Sequence, residues 1–413
     1  MIEIIELINF NCYFFTKTWE QHKLGEFYNF KNGLNKEKAF FGSGVPIVNF
    51  VDVFHNRFLM PDMLMGRVTL TEKEIKSHEV KQGDIFFTRT SETINEIGYP
   101  SVMLGIPDCT VFSGFVLRGR AIGNDPLNNL FKSYIFFTEH FRKEMIKKSS
   151  MTTRALTSGT ALKEMIIKFP VSENEQTNIG TLFKHLDVGI TLQQRQLDLY
   201  IKLKKGLLQK LFPKNEEKVP EVRFADFTGN WELRKLSTLF NRVNERNNGQ
   251  FNNTKWISVS QMYFQSSEKV QSNNIDTRTY VMRKGDIAFE GHPNKEYKFG
   301  RFVANDIGDG VVSELFPVYR PIENLDLNYL KFFIHQERIM EPIFAKSITS
   351  SGNSSNKLNT KHFLKQSVRL ATLDEQHKIG SILKIIENAE NLQQEKVKEL
   401  KLLKEYLLQK LFI

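Results

Sequence analysis

The 413-residue chain contains only two cysteines, Cys12 and Cys109. They form no C-x-x-C pair and no zinc-type spacing, so a disulfide framework is excluded and a reducing, cytoplasmic setting fits. No run of about 18 apolar residues occurs, which removes a membrane-spanning helix. The opening MIEIIELINF is apolar but acidic, and it lacks the basic segment and small-residue cleavage site of a secretory signal. Catalytic signatures are equally scarce. There is no G-x-x-x-x-G-K-[ST] loop, and the nine histidines form no H-E-x-x-H. Phe40-Phe41-Gly42-Ser43-Gly44 fits a loose F-x-G-x-G pattern. With no N-P-P-[YF] or D-P-P-[YF] beside it, the segment reads as a turn before a strand at Pro46. Pro61-Asp62 followed by Glu74-Ile75-Lys76 loosely fits a metal-dependent nuclease, but these residue types are common enough for chance matches. The expectation is a chain with no catalytic site, metal or cofactor of its own.

What is present is ordinary core-forming material and an excess of positive charge. Hydrophobic residues make up 40% and charged residues 25%, enough for a normal core in each of two to four units. The formal net charge of +10 favours a polyanionic partner.

An internal repeat organises the chain. Residues 175–212 align with 375–412 at a constant shift of 200, with 16 of 38 positions identical. Both copies read as helices. Ile179, Leu182, Leu186, Ile190, Leu197, Tyr200, Leu203, Leu207 and Leu211 form one apolar stripe. Ile379, Ile382, Ile386, Ala389, Val397, Leu400, Leu403, Leu407 and Leu411 form the other. Each helix would be about 57 Å long at 1.5 Å per residue. A long helix with one apolar stripe needs a partner, and the economical partner is the other copy, paired antiparallel. Gln193, Gln194, Gln393 and Gln394 interrupt the stripes near mid-helix, where a buried polar pair would fix register at some cost in stability.

The segments between the helices repeat more weakly. Trp19-Glu20 with Lys23-Leu24 matches Trp231-Glu232 with Lys235-Leu236, and Gly83-Asp84-Ile85 matches Gly285-Asp286-Ile287. Val111-Phe112-Ser113 matches Val311-Val312-Ser313. Each unit reads as mixed α+β. Expected strands are 46–50, 84–88 and 111–117, with counterparts at 255–260, 286–290 and 311–319. A helix is expected from Asp125-Pro126, an N-cap followed by proline at the first helical position, through Met145. Its counterpart starts near Asp326.

This order of parts resembles the specificity subunits of type I restriction–modification systems. The marks are a Trp-Glu-x-x-Lys-Leu opening, a Gly-Asp-Ile strand, a Glu-Gln-x-x-Ile-Gly helix start and a Leu-Leu-Gln-Lys-Leu-Phe helix end, each occurring twice. The resemblance covers nearly the whole chain, although residues 1–16 do not match Val222–Thr228. It implies an α+β fold of two target-recognition domains, 1–172 and 231–372. Two long spacer helices, 173–212 and 373–413, would pair as an antiparallel coiled coil, with a linker at 213–230. It implies a non-catalytic subunit that reads a split, asymmetric double-stranded DNA sequence, with the helices setting the gap. Two methyltransferase subunits, and restriction subunits where present, would be its partners. S-adenosylmethionine, ATP and Mg²⁺ would reside on those partners.

Two kinds of segment carry the chemistry for DNA contact, which needs cations, hydroxyls and amides at the surface. The first kind is basic and hydroxyl-rich. Residues 147–163 supply Lys147, Lys148, Thr152, Thr153, Arg154, Ser158 and Lys163. Residues 346–365 supply Lys346, Ser350, Ser351, Asn353, Ser354, Asn356, Lys357 and Lys361. The second kind follows each Gly-Asp-Ile strand: Thr88, Arg89, Thr90 and Ser91 in one half, His292, Asn294, Lys295, Lys298 and Arg301 in the other. A fused nuclease or methyltransferase would need catalytic motifs that are missing. A protein-only coiled-coil scaffold would not explain two matching basic segments.

Overall fold

The structure, a computed structural model, describes residues 18–214, 217–269, 274–351 and 355–412; the opening segment with Cys12 lies outside them. The chain divides into two compact units. One comprises the chain up to Gln193 together with Lys396 onward, and the other is Gln194–Glu395.

In the first unit, a five-stranded sheet runs in the order Tyr28–Asn32, Val116–Ala121, Ile85–Thr88, Pro100–Met103, Phe58–Leu59. The second unit has a four-stranded sheet in the order Phe240–Arg242, Val318–Pro321, Ile287–Glu290, Arg301–Ala304. The repeated motifs explain the likeness. Gly83 and Gly285 sit at φ +85 and +94, a left-handed conformation that glycine adopts without strain. The turn they make lets the following aspartate reach back. Asp84 accepts from the Lys81 amide at 2.7 Å and from Arg120 at 2.7 and 2.6 Å. Asp286 accepts from the Arg283 amide at 2.8 Å and from Arg320 at 3.0 and 2.9 Å. Both carboxylates are buried, so each needs that charge-assisted pairing.

The opening motif closes each unit on itself. Trp19–Lys23 pairs antiparallel with Ile166–Pro170, and Glu232–Lys235 pairs with Ser367–Leu370. The start of each unit is thereby zipped to the strand that leads into its long helix. The helix-start motif then docks. The Gln176 side chain donates to the carbonyls of Pro126 and Pro170 at 2.9 Å and accepts from Asn128 N–H at 2.7 Å. Gln376 donates to the Ala371 carbonyl at 2.9 Å and accepts from Asp326 N–H at 3.2 Å. A Cβ on Gly180 would come within 2.8 Å of the Phe131 nitrogen, and one on Gly380 within 2.7 Å of the Tyr329 nitrogen. The glycines let a domain helix seat its first turn against the long helix.

The long helices span Glu173–Lys210 and Leu373–Leu411. In each unit, the N-terminal half of one lies against the C-terminal half of the other, antiparallel. In the first unit Ile179, Phe183 and Leu186 share a core with Leu407; Phe183 and Phe412 have ring centroids 5.7 Å apart. In the second, Ile379 and Leu383 share a core with Leu211 and Phe212. Leu203 departs from the expected stripe and is exposed. Its neighbour Lys204 takes the inward position, bonded to Glu387 at 3.4 Å and Glu390 at 3.1 Å.

Several expectations about the domains need correction. The expected strand 255–260 is a 3-10 turn, Asn253–Lys255, followed by a short strand, Ile257–Ser258. The first domain helix does not begin at Asp125-Pro126. It spans Asn129–Ile135, capped by the Asn128 side chain. Asp125 instead accepts from the fully buried Lys132 ammonium at 2.5 Å and from the Tyr28 hydroxyl. The helix also breaks, and a second one follows at Glu139–Lys148; the counterpart breaks likewise into Leu327–Phe333, capped by Asp326, and Glu337–Ser347. Finally, the expected strands 111–117 and 311–319 are each two strands separated by a turn, Val111–Phe112 from Val116–Ala121 and Gly310–Ser313 from Val318–Pro321.

Candidate nucleic-acid interface

The sequence presented the basic segments and the strand-exit segments as separate stretches. The fold brings them together, once in each unit. In the first, Ser150–Met151 and Ala155–Leu156 form a hairpin. Its inner strand pairs antiparallel with Thr90–Ser91, and Thr157 N–H donates to the Arg89 carbonyl at 3.1 Å. In the second, Ile348–Ser351 and Asn356–Leu358 form the hairpin, and Asn356 N–H donates to the Gly291 carbonyl at 2.8 Å. Arg89 and Gly291 are the residues directly after the two equivalent central strands. A side chain at Gly291 would collide with the Asn356 carbonyl, so glycine is what lets the hairpin seat there.

The first hairpin carries Thr152, Thr153 and Arg154 at its exposed tip. Arg154 makes one loose ion pair, with Glu92 at 3.9 Å, and both side chains are largely in water. Such a pair is worth little and yields readily to a phosphate. Lys147 and Lys148 are exposed on the last turn of the preceding helix, Lys148 lying 3.8 Å from Glu144. Arg89 is half-buried, and its guanidinium donates to the Gly114 carbonyl at 3.4 Å. Thr90 is half-buried and Ser91 buried, with its hydroxyl accepting from Thr93 N–H. Thr88 is fully buried and its hydroxyl accepts from Tyr99 N–H at 2.8 Å, which takes it off the surface. Ser158 caps the short helix Gly159–Lys163, where Lys163 is exposed.

In the second unit, His292, Lys295 and Lys298 are exposed on the loop after the strand; Lys298 lies 3.8 Å from Glu341. Asn294 is spent on the loop itself, accepting from Glu296 and Tyr297 N–H. Arg301 is engaged by Glu290 at 3.1 Å and the Ser260 carbonyl at 2.6 Å, and stacks over Tyr297. Burial raises the Tyr297 phenol above its ordinary range. Lys346, Lys357 and Lys361 are exposed, while Asn356 is buried in the hairpin. Asn353 and Ser354, and the side chains of Ser350 and Ser351, lie outside the described residues.

At the long helices, Gln393 is buried, Gln193 and Gln194 are half-buried, and Gln394 is exposed. Gln194 donates to Asp198 of its own helix at 3.2 Å.

The set-aside motifs lie in structural elements: Phe41–Gly44 belong to the strand Phe41–Val48 rather than to a turn before it, and Pro61–Met63 form a short 3-10 helix. Glu74 closes the capping box of Glu72–Ser77 with Thr71 and pairs with Lys36 at 2.7 Å, which holds its carboxyl down at about 2. Among the described residues there is no group of three or more His, Cys, Asp or Glu side chains able to hold a metal, and no helix is long and apolar enough to cross a membrane.

Residues 229–402, which hold both segments of the second candidate face, match the family model of the type I restriction modification DNA specificity domain. That segment is similar to a type I specificity domain. It is similar to a protein of Methanocaldococcus jannaschii assigned as the specificity subunit of the type I restriction enzyme MjaX, at 24% identity over 53% of this chain and 52% of the relative. The chain thus spans about half the length of that curated relative in the match. Its fold is similar to that of the type I restriction–modification S subunit from M. genitalium, with a TM-score of 0.56 at 15% identity and 96% of both chains covered. A chain from a structure of a type I R-M system, described for complex assembly and conformational transition, matches with a TM-score of 0.50 at 15% identity, covering 96% of this chain and 98% of that one. The type I resemblance drawn from the repeated sequence marks is therefore shown, and so is the fold class.

Proposed function

We propose that the chain reads a split, asymmetric DNA sequence, one part with each unit, and directs partner subunits to it without catalysing a reaction itself. The observation that carries this reading is the duplicated face. Twice, a hydroxyl-rich basic hairpin is joined to the exit of the Gly-Asp-Ile strand by a hydrogen bond at the same place, from Thr157 to Arg89 and from Asn356 to Gly291. The frame is the same and the side chains on it differ, as two readers of different half-sites require. The +10 charge supplies the sequence-independent attraction to phosphate. In this reading the long helices set the spacing and dock two methyltransferase subunits, with restriction subunits added where the system has them. S-adenosylmethionine, ATP and Mg²⁺ belong to those partners, and the assembly works in the cytoplasm.

The test is methylome sequencing of a host that expresses the chain with a type I methyltransferase subunit. The expected result is one new split motif, methylated on an adenine in each strand. An assembled complex that adds no such motif would refute the reading in favour of a protein-binding scaffold.

A further inference from the structure

The turn that interrupts each expected strand presents a large apolar side chain to solvent. In the first unit it is Ser113-Gly114-Phe115-Val116, in the second Ser313-Glu314-Leu315-Phe316. Both are built alike. The Val116 amide donates to the Ser113 carbonyl and the Phe316 amide to the Ser313 carbonyl, each at 3.0 Å. Each serine hydroxyl accepts from the third residue's N–H, at 3.3 Å from Phe115 and 3.4 Å from Leu315. Phe115 is 58% exposed and Leu315 83% exposed. Turn geometry does not ask for a large apolar residue there; small and polar residues suit the position better. The core gains little from it either, since the area is left in water. A single exposed apolar side chain is unremarkable. Two at equivalent turns in two diverged units are not explained by folding.

Their surroundings connect them to the recognition faces. Arg89 N–H donates to the Phe115 carbonyl at 2.9 Å, and Arg89 is the residue to which the first hairpin is bonded. In the second unit, Ala288 lies opposite Val318 and Phe289 N–H donates to the Pro317 carbonyl at 2.8 Å. Leu315 stands two residues before Pro317, where that pairing with the central strand ends. Glu314, next to Leu315, donates its N–H to the Arg278 carbonyl at 2.9 Å, and its carboxylate pairs with Arg246 at 2.8 Å and with the largely exposed Arg278 side chain at 3.7 Å. An apolar tip with an arginine close by, Arg89 in one unit and Arg278 in the other, suits the one apolar feature of the major-groove edge, the thymine methyl group.

Resting on the reading of the chain as a DNA reader, we infer that Phe115 and Leu315 are specificity-determining residues, each packing against a thymine methyl in the half-site its unit reads. The test uses the full chain with its methyltransferase subunit and the motif found by methylome sequencing. Phe115→Ala and Leu315→Ala should each weaken specific binding about five- to tenfold, as loss of one base contact does, leaving thermal stability and subunit assembly unchanged. Replacing thymine by deoxyuridine at one position of one half-site should weaken the wild type to the same degree. It should have no further effect on the variant of the matching unit. Unchanged binding by both variants, or a loss that no deoxyuridine position reproduces, would overturn the inference. So would lost subunit assembly with DNA binding intact, which would mark the turns as protein contacts. Absence of any sequence-specific binding by the wild type would instead remove the functional reading beneath it.

Discussion

Asp187 of the first long helix holds the ammonium of Lys404 from the second, and 200 residues away the roles are exchanged, Glu387 holding Lys204 at 3.4 Å. Each acid also takes a cation from the α+β part of its own unit. Arg57 reaches Asp187 at 3.5 Å, and Lys331 lies 3.9 Å from Glu387. One carboxylate in each unit therefore ties together three elements. Around Asp187 the Tyr134 hydroxyl adds a fourth, at 3.0 Å.

Asp187→Asn should destabilise the first unit by roughly 1–3 kcal/mol, because it leaves Arg57 and Lys404 as neighbouring, mostly desolvated cations. Burial first, and Arg57 second, already hold the Lys404 ammonium below its ordinary pKa. Adding Lys404→Met should recover part of the loss. Thermal unfolding of the two variants measures this, and equal melting of Asp187→Asn and wild type would contradict it.

Gly380→Ala sets two effects against each other. Alanine favours a helix by about 1 kcal/mol over glycine. The new Cβ would meet the Tyr329 nitrogen at 2.7 Å and crowd the Asp326 carboxylate that caps Leu327–Phe333. A clash with backbone costs about 1–3 kcal/mol, so the net sign should be destabilising. A rise in melting temperature would show that the domain helix can retreat at no cost.

Arg154→Glu should lower specific DNA affinity at least tenfold and reduce the slope of log affinity against log salt by about one. The fold should be unaffected, since the ion pair lost, with Glu92, is loose. Filter binding at several salt concentrations gives both numbers. Retained affinity and slope would take the hairpin tip out of the interface.

His335 should make the second unit acid-sensitive. Burial, with Arg301 second, lowers its pKa from 6.5 to about 4, while Nε2 contacts the Phe302 carbonyl at 3.0 Å. The folded pKa lies below the unfolded one, so the unfolded chain takes up the proton first. Stability is fully present above about pH 6.5 and falls progressively toward pH 4, by about 3 kcal/mol from this group. His335→Gln should flatten that part of the pH profile in thermal unfolding. An unchanged profile would assign the acid sensitivity to other groups.

The parts of this architecture that were legible in the sequence are those fixed by local rules or by repetition. The helix stripes follow from residues three and four apart, and the Gly-Asp turn from one glycine and the aspartate beside it. The joining of each hairpin to a strand exit was not legible, because Thr157 and Arg89 are distant in sequence and neither has a distinctive side-chain requirement. Asp125-Pro126 misled because Lys132, which the sequence marks only as a helical cation, is buried and claims the aspartate. Leu203 misled in the same way, since stripe counting cannot foresee that Lys204 turns inward to Glu387 and Glu390. The turns at Ser113 and Ser313 were hidden inside apolar runs that read as continuous strand. The helix-start acids show a subtler limit. Glu175 and Glu375 are equivalent in sequence, yet Glu175 accepts from the Trp19 indole at 3.1 Å while Glu375 takes both arms of Arg223 at 2.8 Å.

Synthesis delivers the two units in an unexpected order. Everything the first unit needs up to Gln193 leaves the ribosome early, but its aromatic stack around Trp19, Phe131 and Phe183 is completed by Phe412. At 5–20 residues per second, that core waits roughly 10–40 s for its last ring. The second unit is one continuous stretch, Gln194–Glu395, and can close while the older one is still open. Truncation after Glu395 would therefore cripple the unit that was made first.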